Sequence, residues 1–132
     1  MAIVMGIDPG TRLVGYGVVE AESRGDPRYV GGGTIRTTAK GSMAQRLNEV
    51  FIGLEEQVRH FQPDILAVEE AFVGRNIQST MRLGEARGVI LLLAALEVVL
   101  AANQERKSIL VICYLNAVLQ NLRLLLRWSL PR

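Results

Sequence analysis

Two carboxylates in this sequence follow directly on short apolar runs, Asp8 after Ala2 to Ile7 and Glu69 after Ile65 to Val68. Both runs have the length and composition of strands, so both acids are expected at strand C-terminal ends. If the strands are parallel neighbours, their spacing of ~4.8 Å sets the two carboxylates side by side at one edge of a sheet. Hard oxygen donors in that arrangement can share or bridge divalent cations ~3.5–4 Å apart, the ions that activate water and stabilise the leaving oxygen in phosphodiester hydrolysis. Taken alone, Asp8-Pro9-Gly10 reads more readily as a turn than as a metal ligand; only its context changes that balance.

The elements that must position these acids follow from pattern. After the turn at Pro9-Gly10, Val14 to Glu20 reads as a return strand and Tyr29 to Thr37 as a third, weakened by Gly31, Gly32 and Gly33. At Ser42 the period changes: Met43, Leu47, Val50, Phe51, Leu54, Val58 and Phe61 recur in steps of one, three and four residues, which predicts a helix capped by Ser42 and ended by Gln62-Pro63. Ile65 to Val68 is apolar at every position, as in a strand covered on both faces. A second helix is expected from about Ser79 to Ala102, with a small-residue surface at Gly84, Ala86 and Gly88. Ile109 to Leu115 then reads as a strand, and Asn116 to Leu130 as a final helix. The order β-β-β-α-β-α-(β-α) joins a meander to a crossover and predicts a mixed sheet with helices packed on it.

The 132 residues suit a single domain with one core, and 49% hydrophobic against 21% charged residues describes a folded chain. Cys113 has no partner for an internal disulfide, thiolate metal sites are excluded, and no secretory signal opens the sequence, so a cytoplasmic protein is expected. The apolar stretch from Val89 to Ala102 is shorter than the ~20 residues of a membrane span and contains Glu97, so no membrane association is expected. Net charge is +2, yet residues 1–105 hold 10 Lys+Arg against 13 Asp+Glu, while residues 106–132 hold 5 basic residues and no acid. Overall charge is therefore no argument for nucleic-acid binding, which needs local clusters of Arg.

Context comes from several motifs in order. Gly6-Ile7-Asp8-Pro9-Gly10-Thr11-Arg12 followed by Gly15-Tyr16-Gly17-Val18, then Phe61-Gln62-Pro63-Asp64, Ala67-Val68-Glu69-Glu70-Ala71-Phe72, Arg75-Asn76 and Leu83-Gly84-Glu85-Ala86-Arg87-Gly88, resemble the RuvC family of Holliday-junction endonucleases over about residues 1–97. The resemblance implies an α/β, RNase H-like fold, a mixed five-stranded sheet with helices on both faces. It also implies a homodimer that nicks four-way junction DNA with Mg²⁺, or Mn²⁺, held by Asp8 and Glu69 as catalytic metal ligands. Phe72 matches the family's wedge against junction bases, Arg75 and Asn76 its DNA contacts, and RuvA and RuvB its expected partners. Read without the family, Phe72 is as much a core residue, Arg75 a solvated loop charge and His60 ordinary helix surface.

The family closes its metal site with further acidic or His/Asp residues on a C-terminal helix. From about residue 101 this sequence diverges, and after Glu105 it has no Asp, Glu or His. Two carboxylates in place of about four ligands predict weak metal binding and little cleavage, which leaves open a non-catalytic junction-binding or dimerisation module. A nucleotide-binding lobe of the actin and sugar-kinase type also uses an Asp-x-Gly-Thr hairpin, but it needs two lobes, and 132 residues supply one. A related nuclease group acting on ribosomal RNA precursors shares the fold; Phe72 and Arg75-Asn76 favour the junction enzyme.

Overall fold

The computed structural model describes residues 1–70, 76–103 and 110–114. Strands β1 (Ala2–Asp8), β2 (Leu13–Ala21) and β3 (Arg28–Arg36) precede helix α1 (Met43–Phe61), strand β4 (Ile65–Glu69), helix α2 (Ile77–Asn103) and strand β5 (Leu110–Tyr114). The sheet order is β3-β2-β1-β4-β5. β1 to β3 form the antiparallel meander expected from their short connections, and β4 lies parallel between β1 and β5. Strand ends fall within one or two residues of the sequence reading. The final helix expected over Asn116 to Leu130 lies outside the described residues.

Alternation along β1 sorts the sheet into two faces. Met5 and Ile7 join Val14, Val18, Leu66 and Val68 in the main core, where Val50, Leu54 and Val58 of α1 and Ile90, Leu93 and Ala94 of α2 cover them. Both described helices thus occupy one face, and they pack against each other there. Val4, Ala21, Ile65 and Ala67 form a second cluster on the opposite face. Among the described residues no helix joins that cluster, so this part of the fold expectation rests outside them. β4 is buried from Ile65 to Val68, as its unbroken apolar run required.

Local chemistry fixes where the elements begin and end. Ser42 and Gln45 form a capping box at the start of α1, each side chain bonding the other's backbone N–H (Oγ to N 3.2 Å, Oε1 to N 2.8 Å). Gln62 adopts a left-handed conformation (φ 49°) and its N–H closes the helix onto the Val58 carbonyl; Pro63 then has no N–H with which to continue it. The next residue, Asp64, is clamped to β1. Its N–H donates to the Ile3 carbonyl at 2.8 Å, and its Oδ2 accepts from the Ile3 N–H at 2.8 Å.

Candidate active site

The Asp64 clamp sets the register of β4 on β1, pairing Val4 with Ile65 and continuing step by step to Ile7 with Val68. One further step places Asp8 beside Glu69, on adjacent parallel strands with a spacing of about 4.8 Å. Asp8 shares its face with Val4 and Gly6, and Glu69 shares its face with Ile65 and Ala67, so both carboxylates stand on the face opposite the two helices. Asp8 is exposed and Glu69 half-buried. The neighbouring turn is shaped for this exit: a Cβ at Gly10 would run into the Leu13 carbonyl, so only glycine fits.

The two acids interact. Partial burial raises the pKa of Glu69 above 4.5, and a hydrogen bond with Asp8 and its negative charge raise it further. The repulsion in such a pair is relieved either by a proton kept on one carboxyl or by a cation between the two. Two hard oxygen donors fit a hydrated divalent ion of the Mg²⁺ kind, which keeps several waters and is commonly held by one or two carboxylates together with substrate phosphate. Among the described residues no third His, Cys, Asp or Glu joins the pair.

The remaining predicted site residues are placed differently. Phe72 and Arg75 lie outside the described residues. Asn76 sits at the start of α2, where its Oδ1 accepts from the Ser79 N–H at 3.3 Å and its carbonyl from the Thr80 N–H at 3.1 Å. Its side-chain oxygen is committed to capping the helix, a role that Asn before a helix start signals and that a reading centred on DNA contact passed over. His60 is exposed and stacks edge-on against Phe61 at 4.7 Å, consistent with helix surface. Sequence reading also missed Thr34 and Arg36, which the antiparallel register brings onto the acid face. Counting alternation back from Gly15 through the hairpin would have found them, since Asp8 pairs with Gly15 and Gly15 with Thr34.

The model of the crossover junction endodeoxyribonuclease RuvC family matches residues 4–112. The chain belongs to the RuvC family. A RuvC of Photobacterium profundum is 46% identical over 88 residues, which cover 67% of this chain and 50% of that protein. The chain spans about half the length of the curated RuvC relatives it matches. Among solved structures, Thermus thermophilus RuvC in complex with Holliday junction substrate superposes with a TM-score of 0.73 at 25% identity, covering 92% of this chain and 67% of that one. The yeast mitochondrial Holliday junction resolvase Ydc2 shares the fold, with a TM-score of 0.66 at 14% identity and coverage of 89% and 54%. The RuvC, RNase H-like fold expected from the motifs is thus borne out, with the helices among the described residues on one face of the sheet.

Proposed function

We propose that this chain carries the catalytic face of a Holliday-junction endonuclease, with Asp8 and Glu69 as the residues that hold its metal. The observation that carries this reading is the level placement of the two carboxylates at the ends of adjacent parallel strands in a chain of the RuvC family. A divalent ion bound there, Mg²⁺ or Mn²⁺, would neutralise charge at the scissile phosphate and acidify a water for in-line attack. Asp8, exposed at the sheet edge, presents oxygens to the incoming phosphate side. Glu69, half-buried beside it, would supply the second carboxylate donor. Phe72, Arg75 and the amide N–H groups of Asn76 lie in sequence just beyond Glu69 and are assigned to the junction DNA. The substrate class, four-way junction DNA, follows from the family. RuvA and RuvB as partners and a cytoplasmic location belong to the same reading; no described helix is long and apolar enough to cross a membrane.

Paired nicks in a two-fold symmetric junction need two copies of the site, and α2 offers a surface for pairing. Ile77, Met81, Leu92 and Leu96 are exposed on it, and a Cβ at Gly84 or Gly88 would meet nothing within 4 Å. Successive positions at Ile77, Met81, Gly84, Gly88 and Leu92 form a stripe opposite the buried Ala86, Ile90 and Leu93. A helix apolar on both sides is made to be covered on both, which supports a homodimer.

A second reading is favoured by one observation, the absence of a third ligand among the described residues. On that reading the chain binds junctions without cutting them. The deciding experiment is incubation of a labelled synthetic four-way junction with Mg²⁺ or Mn²⁺, beside an Asp8→Asn variant and a gel shift in EDTA. Metal-dependent symmetrical nicks, weak in this chain and lost in the variant, are expected of the endonuclease. Junction binding with no nicks would establish the non-catalytic module instead.

A further inference from the structure

The acid face extends beyond Asp8 across β2 and β3. Register places Gly6 opposite Gly17, Asp8 opposite Gly15, then Gly17 opposite Gly32, Gly15 opposite Thr34 and Leu13 opposite Arg36. Directly paired residues share a face, so Thr34 and Arg36 stand on the side that carries the two acids. Both are exposed. Arg36 has no ion pair among the described residues, whereas Arg28 at the other end of β3 pairs with Glu20 and Arg59 with Glu55 and Glu97. Of the described strand residues on this face, Arg36 is the single cation.

The glycines here divide by cause. Gly31 lies under the Phe61 ring and Gly33 under Tyr16, with a built Cβ 2.7 and 3.0 Å from them, so a larger residue on the helix side would have to displace those rings. Gly17 is different: it is exposed, and a Cβ there would meet nothing within 4 Å. Glycine inside a strand weakens it and marks either a bulge, here the register shift at Val18/Val19 just beyond Gly17, or a place where a ligand or another backbone comes close. A polyanion entering a face that carries two carboxylates also needs a compensating cation, and a guanidinium is suited to phosphate by its fork of donors.

We propose that Arg36, supported by Thr34, binds a backbone phosphate of the DNA strand that enters the acid pair, with the strand crossing bare backbone at Gly15 and Gly17. The inference rests on the endonuclease reading and adds residues to the same site. Two strand spacings and two residues along β3 separate Asp8 from Arg36, about 12 Å, which is a few nucleotides at ~3.4 Å of axis rise per strand charge. Arg36 is therefore a binding and positioning residue for a phosphate a few nucleotides from the scissile one.

The test is fluorescence anisotropy of a four-way junction in EDTA across a range of salt, with the full chain and its Arg36→Ala, Arg36→Lys, Gly17→Val and Arg28→Ala variants, each checked for folding by thermal melting. Arg36→Ala is expected to weaken binding several-fold and to lower the slope of log affinity against log salt by about 1, with Arg36→Lys restoring the slope. Gly17→Val is expected to weaken binding with the slope unchanged, and Arg28→Ala to behave as the parent. A parent that binds junctions while Arg36→Ala keeps both its affinity and its slope overturns this inference and leaves the endonuclease reading standing. A parent that binds no junction overturns both.

Discussion

At the scale of the residue, the informative group is Glu69. Its pKa is raised, first by burial and then by Asp8, so the folded protein holds a proton there more tightly than the unfolded chain. Stability from this group is fully present below about pH 4.5 and is lost as pH rises through the folded value. In EDTA at neutral pH, Glu69→Gln should therefore melt at the same temperature as the parent or slightly above it, by less than about 4 °C for a solvent-screened pair. Stabilisation by added Mg²⁺ or Mn²⁺ should disappear in the same variant. A lower melting temperature for Glu69→Gln in EDTA would contradict the like-charge picture of the site. Glu49 shows the opposite sign: hydrogen bonds from the hydroxyl and N–H of Thr38 lower its pKa, and that contribution is lost as pH falls below the usual carboxylate range.

At the scale of the element, the decisive contacts are those that stop α1 and start β4. Asp64 exchanges two hydrogen bonds with Ile3, and this exchange sets the step at which β4 pairs with β1. Asp64→Ala should cost about 1–3 kcal/mol in urea unfolding and should also weaken metal binding at Asp8 and Glu69, because their level placement depends on that register. Ser42→Ala, which removes the cap at the far end of α1, should cost a comparable ~1 kcal/mol with metal affinity unchanged. Equal effects of the two variants on metal binding would show that the clamp contributes stability alone. A buried charge ties the same helix to α2: Glu97, 3% exposed, lies 3.6 Å from Arg59 Nε.

At the scale of the whole molecule, α2 is divided between an inner face and an outer one. Ala86, Ile90, Leu93 and Ala94 are at most 1% exposed, while Leu92 is 56% exposed. Leu93→Ala should destabilise the fold by about 2–5 kcal/mol, as expected where a core side chain is removed. Leu92→Asp should leave the stability of a single chain within about 0.5 kcal/mol and convert a dimer to a monomer in sedimentation velocity. A parent chain that sediments as a monomer at all concentrations would remove the homodimer from the proposed function.

What the sequence by itself determined is local. Apolar runs ending at Asp8 and Glu69, the shift to a helical period at Ser42, and the stop at Gln62-Pro63 located the strands, the first helix and the two acids, because burial imprints a period on each element separately. The RuvC motifs were legible for the same reason, being short strings at element ends. Pairing was decided only in the folded chain: β4 inserted between β1 and β5, both described helices gathered on one face, and Thr34 and Arg36 were carried to the side of the acids. Strand order and register depend on contacts between residues far apart in sequence, such as Asp64 with Ile3, whose free energy no single window of sequence contains. Asn76 shows the limit at one residue, since a side chain able both to cap a helix and to touch DNA acquired its structural role only once α2 began beside it.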